Sequence, residues 1–237
     1  RSYLEIRAAA VIDPDRVELS NLNRLVEVGF GDALGQVPKA ALAAGALQRA
    51  GIPVAAHVDT YEAWRAGAGH DPRLPGSAFL VGVDQVPSRL QVQSDWPLLV
   101  VNGGTSGTGW DVTVHPLHGG GCLGCWFGRS PRTYRADRAP FACGGVGAVG
   151  RVNQPQPMAS YPFVSVSAAA FMVASLIHAV DPNREHGSRT IQLNSLLPEA
   201  AIAGPLSKTE GCRLLCSAPY VEACLNRWAR QEEPRHG

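Results

Sequence analysis

Two close-spaced cysteine pairs, Cys122-Leu-Gly-Cys125 and Cys212-Arg-Leu-Leu-Cys216, set the first boundary on how this chain can fold. A tetrahedral zinc takes four thiolates delivered as two such clips, so a shared metal would force segments far apart in sequence into contact. With all four positions filled by protein, that site is structural and leaves no open position for a reacting water. Buried free thiols or two disulfides are the alternatives that spacing alone leaves open. The other cysteines are Cys143 and Cys224, and a chain of 237 residues can build its core without covalent staples, which favours zinc and a reducing compartment.

Composition supports a packed protein. The 21 Lys+Arg and 20 Asp+Glu leave a formal charge of +1, which gives no reason to expect a nucleic-acid or polyanion binder. Hydrophobic residues make up 45% and charged residues 17%, enough for a core and unlike a disordered chain. The longest apolar runs, such as Ala168 to Ile177 and Ala78 to Val83, are shorter than a bilayer crossing needs, and no signal-peptide pattern opens the sequence. The expectation is a soluble, cytoplasmic protein with no membrane partner.

Along the chain, Ile6 to Ile12 reads as a strand running into the turn signal Asp13-Pro14-Asp15. Pro38 to Ala50 reads as a helix, with Pro38 suited to the first turn and Gly51 just past the end. Strands are expected at Ile52 to Val58, Ala78 to Val83 and Pro97 to Val101, with a short helix at Pro87 to Gln93. This alternation predicts an α/β fold with a doubly wound, Rossmann-like sheet, placing Asp13, Asp84 and Asn102 at the C-terminal ends of strands, where ligands of such sheets bind. From Gly103 the character shifts to Gly-rich turns, a strand at Asp111 to His115 and an Arg-rich loop from Gly128 to Pro140. A helix at Ser165 to Val180 and a strand at Thr190 to Leu196 precede the second cysteine pair.

Further motifs stand in a definite order: DPDRVELSNLNR from Asp13 to Arg24, Lys39 at a helix start, Val83-Asp84 followed by Arg89, Asn102-Gly103-Gly104, the two cysteine pairs, and Cys143 before Gly144-Gly145-Val146-Gly147. This set resembles the ThiF/MoeB adenylyltransferases, the superfamily that includes ubiquitin-activating enzymes. The resemblance implies ATP-dependent adenylation of the C-terminal glycine of a ubiquitin-like or sulfur-carrier protein, followed in many members by capture on a cysteine. By resemblance Asp13 accepts the ribose hydroxyls, Asn21 and Arg24 contact phosphates, Lys39 offsets charge on the triphosphate, and Asp84 holds Mg²⁺. Each role suits its chemistry, since guanidinium and ammonium groups match phosphate oxygens and Mg²⁺ takes one or two carboxylates plus phosphate. Cys143 is the candidate acyl acceptor, its thiolate favoured if Arg129, Arg132, Arg135 and Arg138 approach it. A homodimer or pseudo-dimer is implied as well.

The bland alternatives are a turn aspartate at Asp13, a surface charge at Arg24, a solvated helix lysine at Lys39 and a packing or exposed thiol at Cys224. The family's first strand, GxGGxG loop and first helix have no counterpart in residues 1–237, so the expectation is a single adenylation domain lacking those elements. Within it, 103–164 is the Gly/Arg-rich region with the first cysteine pair and Cys143, and 205–237 carries the second pair and the tail. Gly29-Phe-Gly31-Asp-Ala-Leu-Gly35 is one residue too long for a phosphate loop, and Gly119 to Gly121 leads into the cysteine pair. Leu25 stands where relatives commonly have glutamine, and the second pair is CxxxC where CxxC is usual. Competing readings are a non-catalytic zinc-stabilised module or half of a split activating enzyme, a peptide-adenylating relative without a transfer cysteine, and a plain NAD(P)-binding enzyme, which the cysteine pairs and the SNLNR segment disfavour.

Overall fold

The structure is a computed structural model and describes residues 6–67, 77–106, 109–117, 119–128, 162–181, 187–194, 197–212, 214, 216–217, 219–224 and 226. They belong to two compact units.

The first unit is a parallel β-α-β arrangement. Strand β1 (Ala9–Ile12) starts later than the apolar run from Ile6 suggested. After it, Val17 is fully buried, and its N–H donates to the carbonyl of Val37 at 2.9 Å, tying the segment after β1 to the residues before the main helix. The predicted decoy Gly29–Gly35 is helix α1 (Phe30–Leu34), with Asp32 accepting from the Gly29 N–H at 2.8 Å. Helix α2 (Lys39–Arg49) begins at Pro38, whose φ of −60° and extended ψ suit a helix entry, and Gly51 beyond its end takes φ +81°, the conformation glycine tolerates. Ala40 and Ala44 are its buried residues, and α2 packs on both β1 and β2 (Val54–His57), which pairs with β1 in parallel from Ala9↔Val54 to Ile12↔His57. Small side chains on the buried face allow helix and sheet to approach closely. Helix α3 (Tyr61–Ala66) follows, capped by the Thr60 hydroxyl accepting from Ala63 N–H at 3.2 Å.

The second unit is built on a five-stranded sheet, order β3-β4-β5-β6-β7. Strand β3 (Ala78–Val81) and helix α4 (Val86–Ser94) lead to β4 (Leu99–Ser106), parallel to β3. Among the described residues the strands thus fall in a two-stranded and a five-stranded sheet, parallel at β1-β2 and β3-β4, where the helical connections lie, and antiparallel from β4 onward. The sequence reading ended β4 near Val101; it runs five residues further, so Asn102-Gly103-Gly104 lies within the strand. The glycines explain this: a Cβ on Gly103 would meet the Met172 side chain, and one on Gly104 would lie 2.8 Å from Asp111 Oδ1, so only bare backbone lets both neighbours pack on the strand.

Strand β5 (Gly109–Pro116) pairs antiparallel with β4, and its residues alternate in chemistry. Trp110, Val112 and Val114 enter an apolar cluster with Leu99, Val101, Val164 and Ala168, while Asp111, Thr113 and His115 carry the polar chemistry. Helix α5 (Leu123–Gly128) opens with its Leu123 N–H bonded to Gln93 Oε1 of α4 at 3.2 Å. Helix α6 (Pro162–Ala179) contributes Val164, Ala168, Met172 and Leu176 to the apolar cluster. At 18 residues and a mean hydropathy of 1.7, α6 is long and apolar enough to cross a membrane by length and composition, exceeding the run the sequence suggested; one side of it packs on the apolar cluster, while Phe163, Val166, Phe171, Val173 and Ile177 are exposed. Strands β6 (Arg189–Asn194) and β7 (Leu197–Pro205) complete the sheet with a register irregularity between Gln192 and Asn194.

Candidate functional site

The two cysteine clips do meet. The Sγ atoms of Cys122, Cys125, Cys212 and Cys216 all lie within 4.8 Å of one another, and all four thiols are free of disulfides. A metal with four bonds of about 2.3 Å spaces its sulfurs about 3.8 Å apart, and Cys122–Cys125 at 3.9 Å, Cys122–Cys212 at 3.4 Å and Cys125–Cys216 at 3.2 Å bracket that value. The donor set and spacing therefore fit a closed tetrahedral site. Burial pushes the Cys122 thiol up and Cys216 up to about 11; at Cys125 burial, the largest influence, is outweighed only by the sum of hydrogen bonds to its sulfur, from the Thr209 N–H at 3.3 Å, the Cys122 backbone and the neighbouring thiols, and the value falls to about 7. Local chain geometry holds the clips in place: a Cβ at Gly121 would sit 2.5 Å from the Ser207 carbonyl, and one at Gly124 would sit 3.0 Å from Cys212 Sγ. Trp96, Leu117, Val221 and Cys224 pack around the four sulfurs in one core. Cys224 is buried there, so of its alternatives the packing one holds.

In the first unit the structure joins Asp13 and Lys39 through a residue the sequence reading passed over. Asp13 Oδ1 accepts from the Asp15 N–H at 2.8 Å, closing a turn at the end of β1. Asp15 in turn holds Lys39 twice, by its carbonyl to the lysine N–H at 2.9 Å and by Oδ2 to Nζ at 2.7 Å. Asn21 is buried, and its Oδ1 accepts from the Glu18 N–H at 3.0 Å, so it fixes the turn that carries Arg24. Arg24 Nη1 donates to the Ser20 carbonyl at 3.0 Å and contacts Asn23 Oδ1 at 3.4 Å, whereas Nη2 is buried with no hydrogen-bond partner among the described residues. An orphaned guanidinium nitrogen is expensive unless an anion meets it, and a phosphate oxygen is the acceptor such a group matches.

In the second unit Asp84 is exposed in the turn between β3 and α4. Arg89, one helical turn on, is buried; its Nε donates to the Val83 carbonyl at 2.6 Å and its Nη1 to Asn102 Oδ1 at 2.7 Å. Asn102 Nδ2 reaches Thr113 Oγ1 at 3.1 Å, Thr113 Oγ1 lies 2.8 Å from His115 Nε2, and His115 Nδ1 lies 2.8 Å from the Gly121 carbonyl. Burial holds His115 down at about 4, so its imidazole is neutral. Asp111 lies on the same strand, raised by burial and partly drawn back by Arg89. Thr113 and His115 escaped the sequence reading, although polar residues alternating with Trp110, Val112 and Val114 in a strand were the mark of a buried polar face. Cys143 and its neighbouring arginines lie outside the described residues.

Parallel β-α-β units with acidic residues after the strands, and an antiparallel sheet extension beside a cluster of four thiols, define a mixed α/β protein. The ThiF family model matches residues 4–199, and the chain belongs to the ThiF family. Among solved structures it is similar to the microcin C7 biosynthetic enzyme MccB in complex with N-formylated MccA, with TM-score 0.62, 16% identity and coverage of 89% of this chain and 60% of that one. E. coli MccB with ATP gives TM-score 0.62 at 15% identity, covering 87% and 58%, and PaaA gives 0.53 at 16%, covering 84% and 72%. The chain thus spans about 60% of the length of the MccB chains. No curated protein matches by sequence.

Proposed function

We propose that this protein is an ATP-dependent adenylyltransferase acting on the C-terminal carboxylate of a peptide or small protein. Arg24 carries the reading: a guanidinium nitrogen buried without a partner, in the SNLNR stretch where the resemblance puts a phosphate contact, is a site prepared for an anion. Asp13 would take the ribose hydroxyls and Arg24 the phosphates, with Lys39 leaving Asp15 for the nucleotide and Asn21 holding the turn beneath Arg24. A substrate carboxylate oxygen attacks the α-phosphorus, the bond to the β-phosphate oxygen breaks, and an acyl adenylate and pyrophosphate result; the cations offset the charge that gathers on the phosphates. Asp84 would hold Mg²⁺, which neutralises the pyrophosphate leaving group. The four cysteines would hold a structural Zn²⁺ that closes the sheet extension onto α5.

Two substrate classes remain in this reading. Several of the MccB structures similar to this chain contain MccA or a form of it, which favours a peptide C-terminus, while the ThiF resemblance favours a ubiquitin-like or sulfur-carrier protein ending in glycine, with Cys143 taking the acyl group as a thioester and two chains forming a dimer. ATP–pyrophosphate exchange decides. With the protein in its natural full-length context, we expect exchange that depends on a C-terminal peptide or on a Gly-Gly carrier and disappears in Asp84→Ala. A folded, zinc-loaded protein that exchanges with neither substrate class would instead mark a non-catalytic interaction module. Cys143→Ser separates the subclasses: adenylate formation kept with no thioester at any stage selects the peptide-adenylating type.

A further inference from the structure

Resting on the reading of Asp84 as a metal-nucleotide ligand, we propose that the four-cysteine centre and the Asp84 turn are coupled by one buried hydrogen-bond chain, Val83 carbonyl–Arg89–Asn102–Thr113–His115–Gly121 carbonyl, with Arg89 as the positioning residue at one end and the metal-binding loop at the other.

The direction of every bond in the chain follows from its ends. Arginine only donates and a carbonyl only accepts, so Arg89 donates to Asn102 Oδ1, Asn102 Nδ2 to Thr113 Oγ1, the Thr113 hydroxyl to His115 Nε2, and His115 Nδ1–H to Gly121 O. The buried ring is neutral, so the one proton it carries sits on Nδ1, facing a carbonyl that can only accept, and Nε2 is left to accept from the Thr113 hydroxyl. The side chains of Asn102, Thr113 and His115 are buried, so a polar atom that loses its partner there is costly. Asn102 and Thr113 are direct partners in the β4-β5 register, so two strands hold the middle of the chain rigid.

Both ends are anchored to elements that matter. At one end, Arg89 Nε fixes the carbonyl of Val83, the residue before Asp84, and thereby the backbone from which that carboxylate projects. At the other end, Gly121 precedes Cys122 and is pinned: its N–H donates to the Leu206 carbonyl at 2.8 Å, and no side chain fits at its Cα against the Ser207 carbonyl. Closing the cysteine site therefore sets Gly121, Gly121 sets the His115 ring, and the chain delivers that position to the Asp84 turn. Such coupling gives a structural metal a role in turnover without contact with substrate.

The test compares Thr113→Val, which keeps the shape and removes both hydroxyl bonds, with Thr113→Ser, which keeps the hydroxyl. On the zinc-loaded protein, hydrogen exchange measured by mass spectrometry over Leu80 to Arg89 should speed by about tenfold in Thr113→Val and return toward wild type in Thr113→Ser, with the α2 segment Lys39–Arg49 as an unchanged internal reference. The Mg²⁺ half-saturation of pyrophosphate exchange should rise by about ten- to a hundredfold in Thr113→Val, with a smaller change in the apparent KM for ATP at saturating Mg²⁺. Stripping zinc from the wild-type protein with a chelator should loosen the same Leu80–Arg89 segment, so the proposal does not depend on Thr113→Val folding. Unchanged protection of that segment in Thr113→Val, or on zinc removal, overturns the coupling. Wild-type protein that shows no exchange with any substrate overturns the catalytic reading instead, and the hydrogen-exchange arm still decides the coupling.

Discussion

Lys39 Nζ lies 2.7 Å from Asp15 Oδ2, so the lysine we propose for the triphosphate is held by a carboxylate two residues beyond the strand-end Asp13. The pair is uneven: the Asp15 side chain is 60% exposed and that of Lys39 19%. Exposed pairs of this kind contribute about 0–1 kcal/mol, so the pair restrains the lysine more than it stabilises the fold. Asp15→Asn should leave the unfolding free energy within about 1 kcal/mol of wild type. The same change should tighten ATP binding about three- to tenfold at low salt, the gain shrinking as ionic strength passes about 0.1 M. Isothermal titration calorimetry at two salt concentrations checks this, and an ATP affinity unmoved by Asp15→Asn would place Lys39 away from the nucleotide.

Arg24 offers a sharper case because its Nη2 is buried with no partner while Nη1 is tied to the Ser20 carbonyl. An unmet buried donor costs about 1–3 kcal/mol, which a bound anion returns. Arg24→Ala should therefore weaken ATP binding by about tenfold or more, equivalent to about 1.4 kcal/mol. Arg24→Lys should fail to restore it, since an ammonium cannot keep the Ser20 bond and present a second donor in the same plane. If Arg24→Ala binds ATP as wild type does and is more stable to urea, the guanidinium is only a strained structural group.

These contrasts show what a sequence can and cannot disclose about such a site. The strand-end acids and the cysteine clips were legible because turn chemistry and ligand spacing are local: Asp13 does close a turn at the end of β1, and the clips do converge. What escaped was set by tertiary pairing. Asn102 looked like a strand end because glycines follow it, but Gly103 and Gly104 instead make room for Met172 and Asp111 along a longer strand. The division of the strands into two sheets, and the partnership of Asp15 with Lys39 across 24 positions, depend on which segments lie side by side, information that no local pattern holds.

The cysteine centre should carry one zinc per chain, and its loss should be cooperative. Burial raises Cys122 and raises Cys216 to about 11, whereas hydrogen bonds to its sulfur bring Cys125 down to about 7. Metal entry must therefore expel protons, and zinc retention should fall as the pH drops. Cys125→Ser should bind less than about a tenth of the wild-type zinc and unfold at markedly lower temperature, since structural zinc sites supply about 10 kcal/mol or more of apparent folding energy in small domains. Cys224→Ser, in the same core but outside the four-thiol set, should keep its zinc. Elemental analysis beside calorimetric melting tests both, and full zinc content in Cys125→Ser would remove this residue from the ligand set.

His115 makes the pH dependence of folding specific. Its imidazole is fully buried between Thr113 Oγ1 and the Gly121 carbonyl and is held at about 4, below the ordinary 6.5, chiefly because burial disfavours the charged ring. The unfolded chain therefore binds the proton more readily, so the folded state is most stable above about pH 6.5, loses stability as pH falls toward 4, and loses no more on this account below that. The gap corresponds to about 3 kcal/mol across the window. His115→Asn can still donate to Gly121 but has no titrating ring; it should be less stable than wild type near neutral pH, and the difference should narrow steadily toward pH 4. Urea unfolding of both proteins from about pH 4 to about pH 7.5 isolates the histidine, because the carboxylates and the cysteine centre are common to the two and cancel in the difference. Two parallel curves would mean that the ring takes up its proton equally in the folded and unfolded chain, and that the fold does not hold it neutral.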